Sequence, residues 1–342
     1  MGTNMSPGRG LALVIGVALC AAAASACDDP VYLYTLNNWA REPCILVQFV
    51  EDEATDENAT ESAISNLKTM GKANLRAARF TPPDLEGIPA ASPVRRAWEE
   101  RGEHPLPFWA VLAPNGQRTH AGALTPEDVA ALASSPQRLR LCELLTGGMH
   151  GAFLLLTCSD PEANAAAGSL IEASVAEAAK SDQEPGYVTV ERDDPAEKWL
   201  VRHLLAIREG LAGLDAPMLF GVFARGFVMA PLVGKGITRD GISALIAFFH
   251  RPCSCDILSQ VTGTYLLTDF DWAAALPEAA PIADERPYYS LLTPPSADLP
   301  ERVDSSAARQ SSHLLRNALV ALTTVLAFAL LAGHVLLRKR RD

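Results

Sequence analysis

Two stretches of the chain carry the same succession of apolar runs and amphipathic segments. In the first, Cys44 to Asp52 (CILVQFVED) is a short apolar run, the pattern of a buried strand. A helical stretch follows at Thr60 to Met70, then a second strand pattern at Leu75 to Phe80. Ser92-Pro93 opens a helix, with serine as the cap and proline at the first helical position, where its missing N–H costs nothing. The run HPLPFWAVLAPNGQRTHAG, from His104 to Gly122, predicts a strand, a tight Pro-Asn-Gly turn and a returning strand. Thr125 caps a last helix, with Pro126 following and Glu127 and Asp128 in the first turn, where the helix dipole favours carboxylates.

The second stretch begins at Gly151 with GAFLLLTCSDPE and continues into an alanine-rich helix, Ala165 to Ala179. The strand pattern GYVTVERDD comes next, and the segment from Pro195 to Gly236 repeats the order helix, proline, hairpin. Thr238 caps a closing helix over Arg239 to His250.

This order of strand, helix, strand, helix, proline, hairpin and helix resembles the thioredoxin-like superfamily. The run RRAWEERGEHPLPFWAVLAPNGQ carries the resemblance most clearly. It implies an α/β fold of two tandem domains, 27–145 and 146–271, each a central mixed sheet flanked by helices. By the same resemblance Pro107 stands where the family keeps a cis-proline, and X-Pro is the one bond for which cis is cheap. Pro217 matches that place in the second copy.

Redox members of the family carry Cys-x-x-Cys after the first buried strand, because one thiolate attacks and the second thiol resolves the mixed disulfide. Here the first copy offers Ala54, Thr55, Asp56 and Glu57, and in the second Cys158 has no cysteine within the next four residues. The resemblance therefore implies domains without dithiol chemistry. In such domains a peptide-binding surface lies around the proline loop, which nominates Pro107, Phe108, Pro217 and Met218.

The ends of the chain read differently. Arg9, the apolar run Leu11 to Leu19 and the small residues Ala24-Ser25-Ala26 form a signal-peptide layout over 1–26. Cleavage before Cys27 leaves two readings, plain processing or acylation of that cysteine as a lipoprotein anchor. At the other end the segment 314–337 contains twenty uncharged residues, Ala318 to Leu337. At 1.5 Å per residue that spans roughly 30 Å, one hydrocarbon core. The basic tail 338–342 follows at once, so the positive-inside rule puts it in the cytoplasm and the body outside. The proline-rich segment 272–313 between body and span is expected to be an extended linker.

Composition narrows the function. With 40 acidic against 29 basic residues the formal net charge is −11, a poor balance for a nucleic-acid binder. Of seven cysteines, Cys20 leaves with the signal, and the other six in an exported chain allow up to three disulfides of unspecified pairing. Cys253-Ser254-Cys255 is the sharpest local pair, either a displaced redox pair or two structural cysteines. Glu51 to Glu57 is acidic but lacks the glycine and ligand spacing of a calcium loop, and Val233 to Gly236 lacks the spacing of a phosphate loop. Asn58-Ala59-Thr60 is a glycosylation sequon.

No pattern calls for a metal or a cofactor. The expected function is a membrane-anchored extracytoplasmic module that binds protein partners or scaffolds a membrane complex. The alternative is a thiol–disulfide oxidoreductase using Cys253 and Cys255.

Overall fold

The computed structural model describes residues 29–52, 62–66, 72–253, 257, 261–277 and 279. The signal segment, residues 54–57, Cys255 and the expected span lie outside the described residues. Among those described, no helix is long and apolar enough to cross a membrane.

A first helix, α1 (Val31–Asn38), precedes a sheet built from β1 (Cys44–Phe49), β2 (Leu75–Phe80), β3 (Phe108–Leu112) and β4 (Arg118–Gly122). Its strand order is β2-β1-β3-β4, with β1 and β2 parallel and the other pairs antiparallel. Residues 62–66 are helical within the stretch between β1 and β2. The helices α2 (Pro93–Glu99) and α3 (Pro126–Ala133) complete this half. Ser92 caps α2 by accepting from the Val94 N–H, and Thr125 with Asp128 forms a reciprocal capping box on α3.

After α4 (Pro136–Thr146) the order repeats through β5 (Ala152–Leu156), α5 (Pro161–Ala179), β6 (Gly186–Val190), α6 (Lys198–Leu205), β7 (Met218–Phe223) and β8 (Phe227–Met229). A short β9 (Leu232–Val233), the helix α7 (Arg239–His250), β10 (Gly263–Tyr265) and α8 (Trp272–Ala275) follow. The strand order β6-β5-β7-β8 reproduces that of the first half, and again only the first pair is parallel. Here β10 extends the far edge.

The central strands β1, β3, β5 and β7 are buried along their whole length. That is why each reads as an unbroken apolar run, since helices cover both faces of the sheet. Gly151, with φ +87°, enters β5 where a Cβ would stand 2.8 Å from the Phe249 ring of α7. No side chain fits there.

The two halves belong to one compact unit, because the chain ends cross over. α1 precedes the first sheet yet packs on the second half. The Val31 N–H donates to the Arg251 carbonyl at 3.0 Å, the Arg225 Nε to the Leu36 carbonyl at 2.9 Å, and Leu36 enters the second core. In return, Leu267 joins the first core from beyond β10. Asn74, 4% exposed, donates to the Leu266 carbonyl and accepts from the Thr268 N–H.

The edge strand β4 is covered by α6 from the second half, whose Trp199 is part of the first core. Glu197, 1% exposed, accepts from the Ser135 hydroxyl and the Gln137 N–H at the start of α4. Beside it Arg138, equally buried, donates to the last carbonyls of α3, Ala131 and Leu132. An ionised group buried this deeply needs such partners.

The proline-rich segment expected to run free from Trp272 starts with a packed turn. Trp272 is 3% exposed in the second core, and Asp271 caps α8 through the Ala274 N–H. An indole of that size buries more apolar surface than an extended linker would leave exposed.

Candidate functional site

The second half holds a cavity of about 430 Å³ where the loop after β5 enters α5. Asp160 caps that helix, its carboxylate accepting from the Glu162 and Ala163 N–H groups, with Pro161 at the first position. The wall facing the cavity is then built from Ala163, Ala166 and Ala167, side chains too small to fill it. The opposite wall is Asp215-Ala216-Pro217, the segment leading into β7. Gly234 and Lys235 close the end. Gly234 adopts φ +52°, a conformation that favours glycine, and its N–H donates to the Pro217 carbonyl at 2.8 Å.

Each polar group on the floor has a partner. Asn164 grips Cys158 from both sides, accepting from its N–H at 2.9 Å and donating to its carbonyl at 2.9 Å. The Cys158 thiol lies 3.3 Å from the same Asn164 oxygen and 3.7 Å from the Asp160 carbonyl. Ser159 donates through both its hydroxyl and its N–H to Asp215. Those two bonds, hydroxyl first, hold the Asp215 carboxyl below the usual carboxylate range, with Arg192 adding to the effect. Leu170, on the rim, is 36% exposed, and Leu214, next to Asp215, is 43% exposed. Lys235 is an exposed cation at the mouth.

This arrangement presents shape, an apolar wall and one thiol. Three residues beyond Cys158 stands Pro161, so no resolving thiol follows on the helix. A dithiol–disulfide cycle within the site has only one of the two sulfurs it needs.

The sequence-nominated residues fall into distinct places. Pro107 is exposed, and Leu106–Pro107 is the cis bond found among the described residues; the Ala216–Pro217 bond is trans. Pro217 is buried and lines the cavity. Phe108 and Met218, by contrast, are 1% and 0% exposed as the first residues of fully buried strands. Phe108 packs in a cluster with Phe49, their rings tilted, and Met218 packs in the second core, so neither side chain offers surface to a partner. Cys253 is 7% exposed in the second core, with its N–H donating to the Asp29 carbonyl. Its neighbour Cys255 is outside the described residues.

Among the described residues Cys44, Cys142 and Cys158 are buried free thiols, and Cys253 is buried as well. Burial pushes the Cys44 and Cys142 thiols up to about 12, which leaves them protonated and inert near neutral pH. No group of three or more His, Cys, Asp or Glu side chains able to hold a metal occurs among the described residues.

Sequence reasoning did not foresee Ser159, Asn164, Asp215 and Lys235. The Asp160-Pro161 cap is a local signal that could have located the cavity's floor. The meeting of 158–170 with 215–217 and 234–237 is a product of the fold alone. Comparison of the chain with protein-family models and with curated protein sequences finds no match.

Proposed function

We propose that the chain is a membrane-anchored, extracytoplasmic protein of two thioredoxin-like halves without a working dithiol, which holds extended segments of exported proteins. The repeated strand order supports the family reading, as does a cis-proline leading into β3. The signal layout and the terminal apolar stretch of the sequence support the location. The observation that carries the binding role is the cavity between Pro217 and the alanine wall of α5. It is open at an apolar rim and holds one thiol where a dithiol cycle needs two.

An extended segment of two or three residues would lie between Leu170 and Pro217 with apolar side chains directed at Ala163 and Ala167. Filling the cavity tests this. Ala166 is exposed on α5, so Ala166→Trp costs the helix only about 0.5 kcal/mol while occupying the space a peptide would take. In fluorescence anisotropy with a labelled, cysteine-alkylated unfolded polypeptide, the full chain in detergent is expected to bind and Ala166→Trp to bind at least tenfold more weakly. Equal binding by the two proteins would sink the reading.

A further inference from the structure

A second cavity, of about 480 Å³, lies on the seam between the halves, away from the Pro217 cleft. Arg118 reaches it from β4 of the first half, Arg202 from α6 of the second, and Arg208 from the turn after α6. In a chain of net charge −11, three guanidinium groups on one concave wall are out of keeping with the rest of the surface.

Arg118 already has a counter-charge, with its Nη1 2.9 Å from a Glu100 oxygen. Arg202 does not. Its Nη1 lies 3.2 Å from the His120 Nδ1, and its guanidinium sits 4.8 Å over the Trp199 ring. Burial first, and then Arg202 itself, push the His120 imidazole down to about 4. The ring is therefore neutral at pH 7 and accepts the arginine's hydrogen. That leaves Arg202 oriented by an aromatic face and an imidazole, with Nε and Nη2 free of any hydrogen bond among the described residues. The Arg208 guanidinium likewise has no ion pair or hydrogen bond among the described residues and is exposed.

We infer that this seam cavity binds a small oxyanion carrying two or more negative charges, a polycarboxylate or a phosphate-bearing molecule, held between Arg202 and Arg208. A planar guanidinium fork matches both carboxylate and phosphate, and a pre-oriented one gives up less freedom on binding. Glu209 is the one carboxylate on the wall and is outnumbered by the guanidinium groups, and a ligand with two anionic groups can engage Arg202 and Arg208 together. His120 of the first half orients Arg202 of the second, so binding favours the joined halves and stabilises them by mass action.

The test is thermal unfolding of the full chain in detergent with citrate, with inorganic phosphate, and with sodium chloride at matched ionic strength. A saturable rise of the midpoint is expected with citrate or phosphate and not with chloride; the anion that saturates lower identifies which oxyanion chemistry the site prefers. Arg208→Gln removes a side chain with no partner to lose, so it folds. It is expected to weaken that anion about tenfold, the equivalent of one charge-assisted hydrogen bond. Arg239→Gln, on α7, should leave binding unchanged. No saturable shift with either anion, or an equal shift in Arg208→Gln, overturns the inference.

Discussion

Replacing Asn74 probes whether the two halves are one body. The side chain is 4% exposed and uses its whole amide. Its Oδ1 accepts from the Thr268 N–H at 2.9 Å and from Arg41 Nη1 at 3.3 Å. Its Nδ2 donates to the Leu266 and Glu42 carbonyls, both at 3.0 Å. Asn74→Ala removes these four bonds, although Arg41 keeps its donations to Thr268 and to the Lys72 carbonyl. At about 1 kcal/mol for each hydrogen bond lost, the cost is roughly 4 kcal/mol, a large share of a stability of about 5–15 kcal/mol. For a body of this size that lowers the unfolding midpoint by roughly 10 °C. Asn74→Asp keeps the acceptor beside Arg41 but sets a carboxylate oxygen about 3.0 Å from the Leu266 and Glu42 carbonyls, so it should also melt below the parent. Circular dichroism melts of the full chain in detergent give the readout. One transition is expected to move as a whole. A change under about 2 °C, or a melt in which one step moves and a second stays, would refute the reasoning, since independent halves would not share the loss.

Three further outcomes follow from the same packing. Glu197→Ala should cost about 3 kcal/mol in urea unfolding, because it uncaps α4 and leaves Arg138 a buried cation without its nearest carboxylate; a cost under about 1 kcal/mol contradicts that. Trp272→Ala should cost about 3–5 kcal/mol if α8 is part of the second core, and nothing measurable if residues from 272 onward are a free linker. Burial pushes His203 down to about 3, so its neutral form is the folded one. The sign is therefore that stability is full above an unfolded value near 6.5 and is lost as pH falls toward about 3, with about 2 kcal/mol gone at pH 5. His203→Leu should flatten that slope between pH 7 and 5, and an unchanged slope means His203 is not its source.

Local signals placed most elements well. Leu75–Phe80 and Arg239–His250 fall where alternation, apolar spacing and the Thr238 cap put them, and both Ser92-Pro93 and Thr125-Pro126 start helices. Ser135-Pro136 carries the same start signal for α4, but the polar residues along that helix mask its apolar spacing. α1 has no such signal; it is helical because Val31 and Leu36 find the second half across the fold.

The cavity and the seam were the least legible parts. Asn74 and Leu266 stand 192 residues apart, and no periodicity links them. The proline loops were found in sequence, but which of their side chains face outward was not. Strand burial decides that, and it hides Phe108 and Met218 while leaving Pro107 exposed and setting Pro217 on the cavity wall.

The central claim is binding without dithiol chemistry, and one paired measurement addresses it. The full chain and a variant with Cys158, Cys253 and Cys255 changed to alanine are assayed side by side for insulin disulfide reduction and for binding of the alkylated unfolded polypeptide. The account predicts no reduction above the uncatalysed rate by either protein and binding that agrees within about threefold. Turnover of insulin by the parent that disappears in the variant would contradict it.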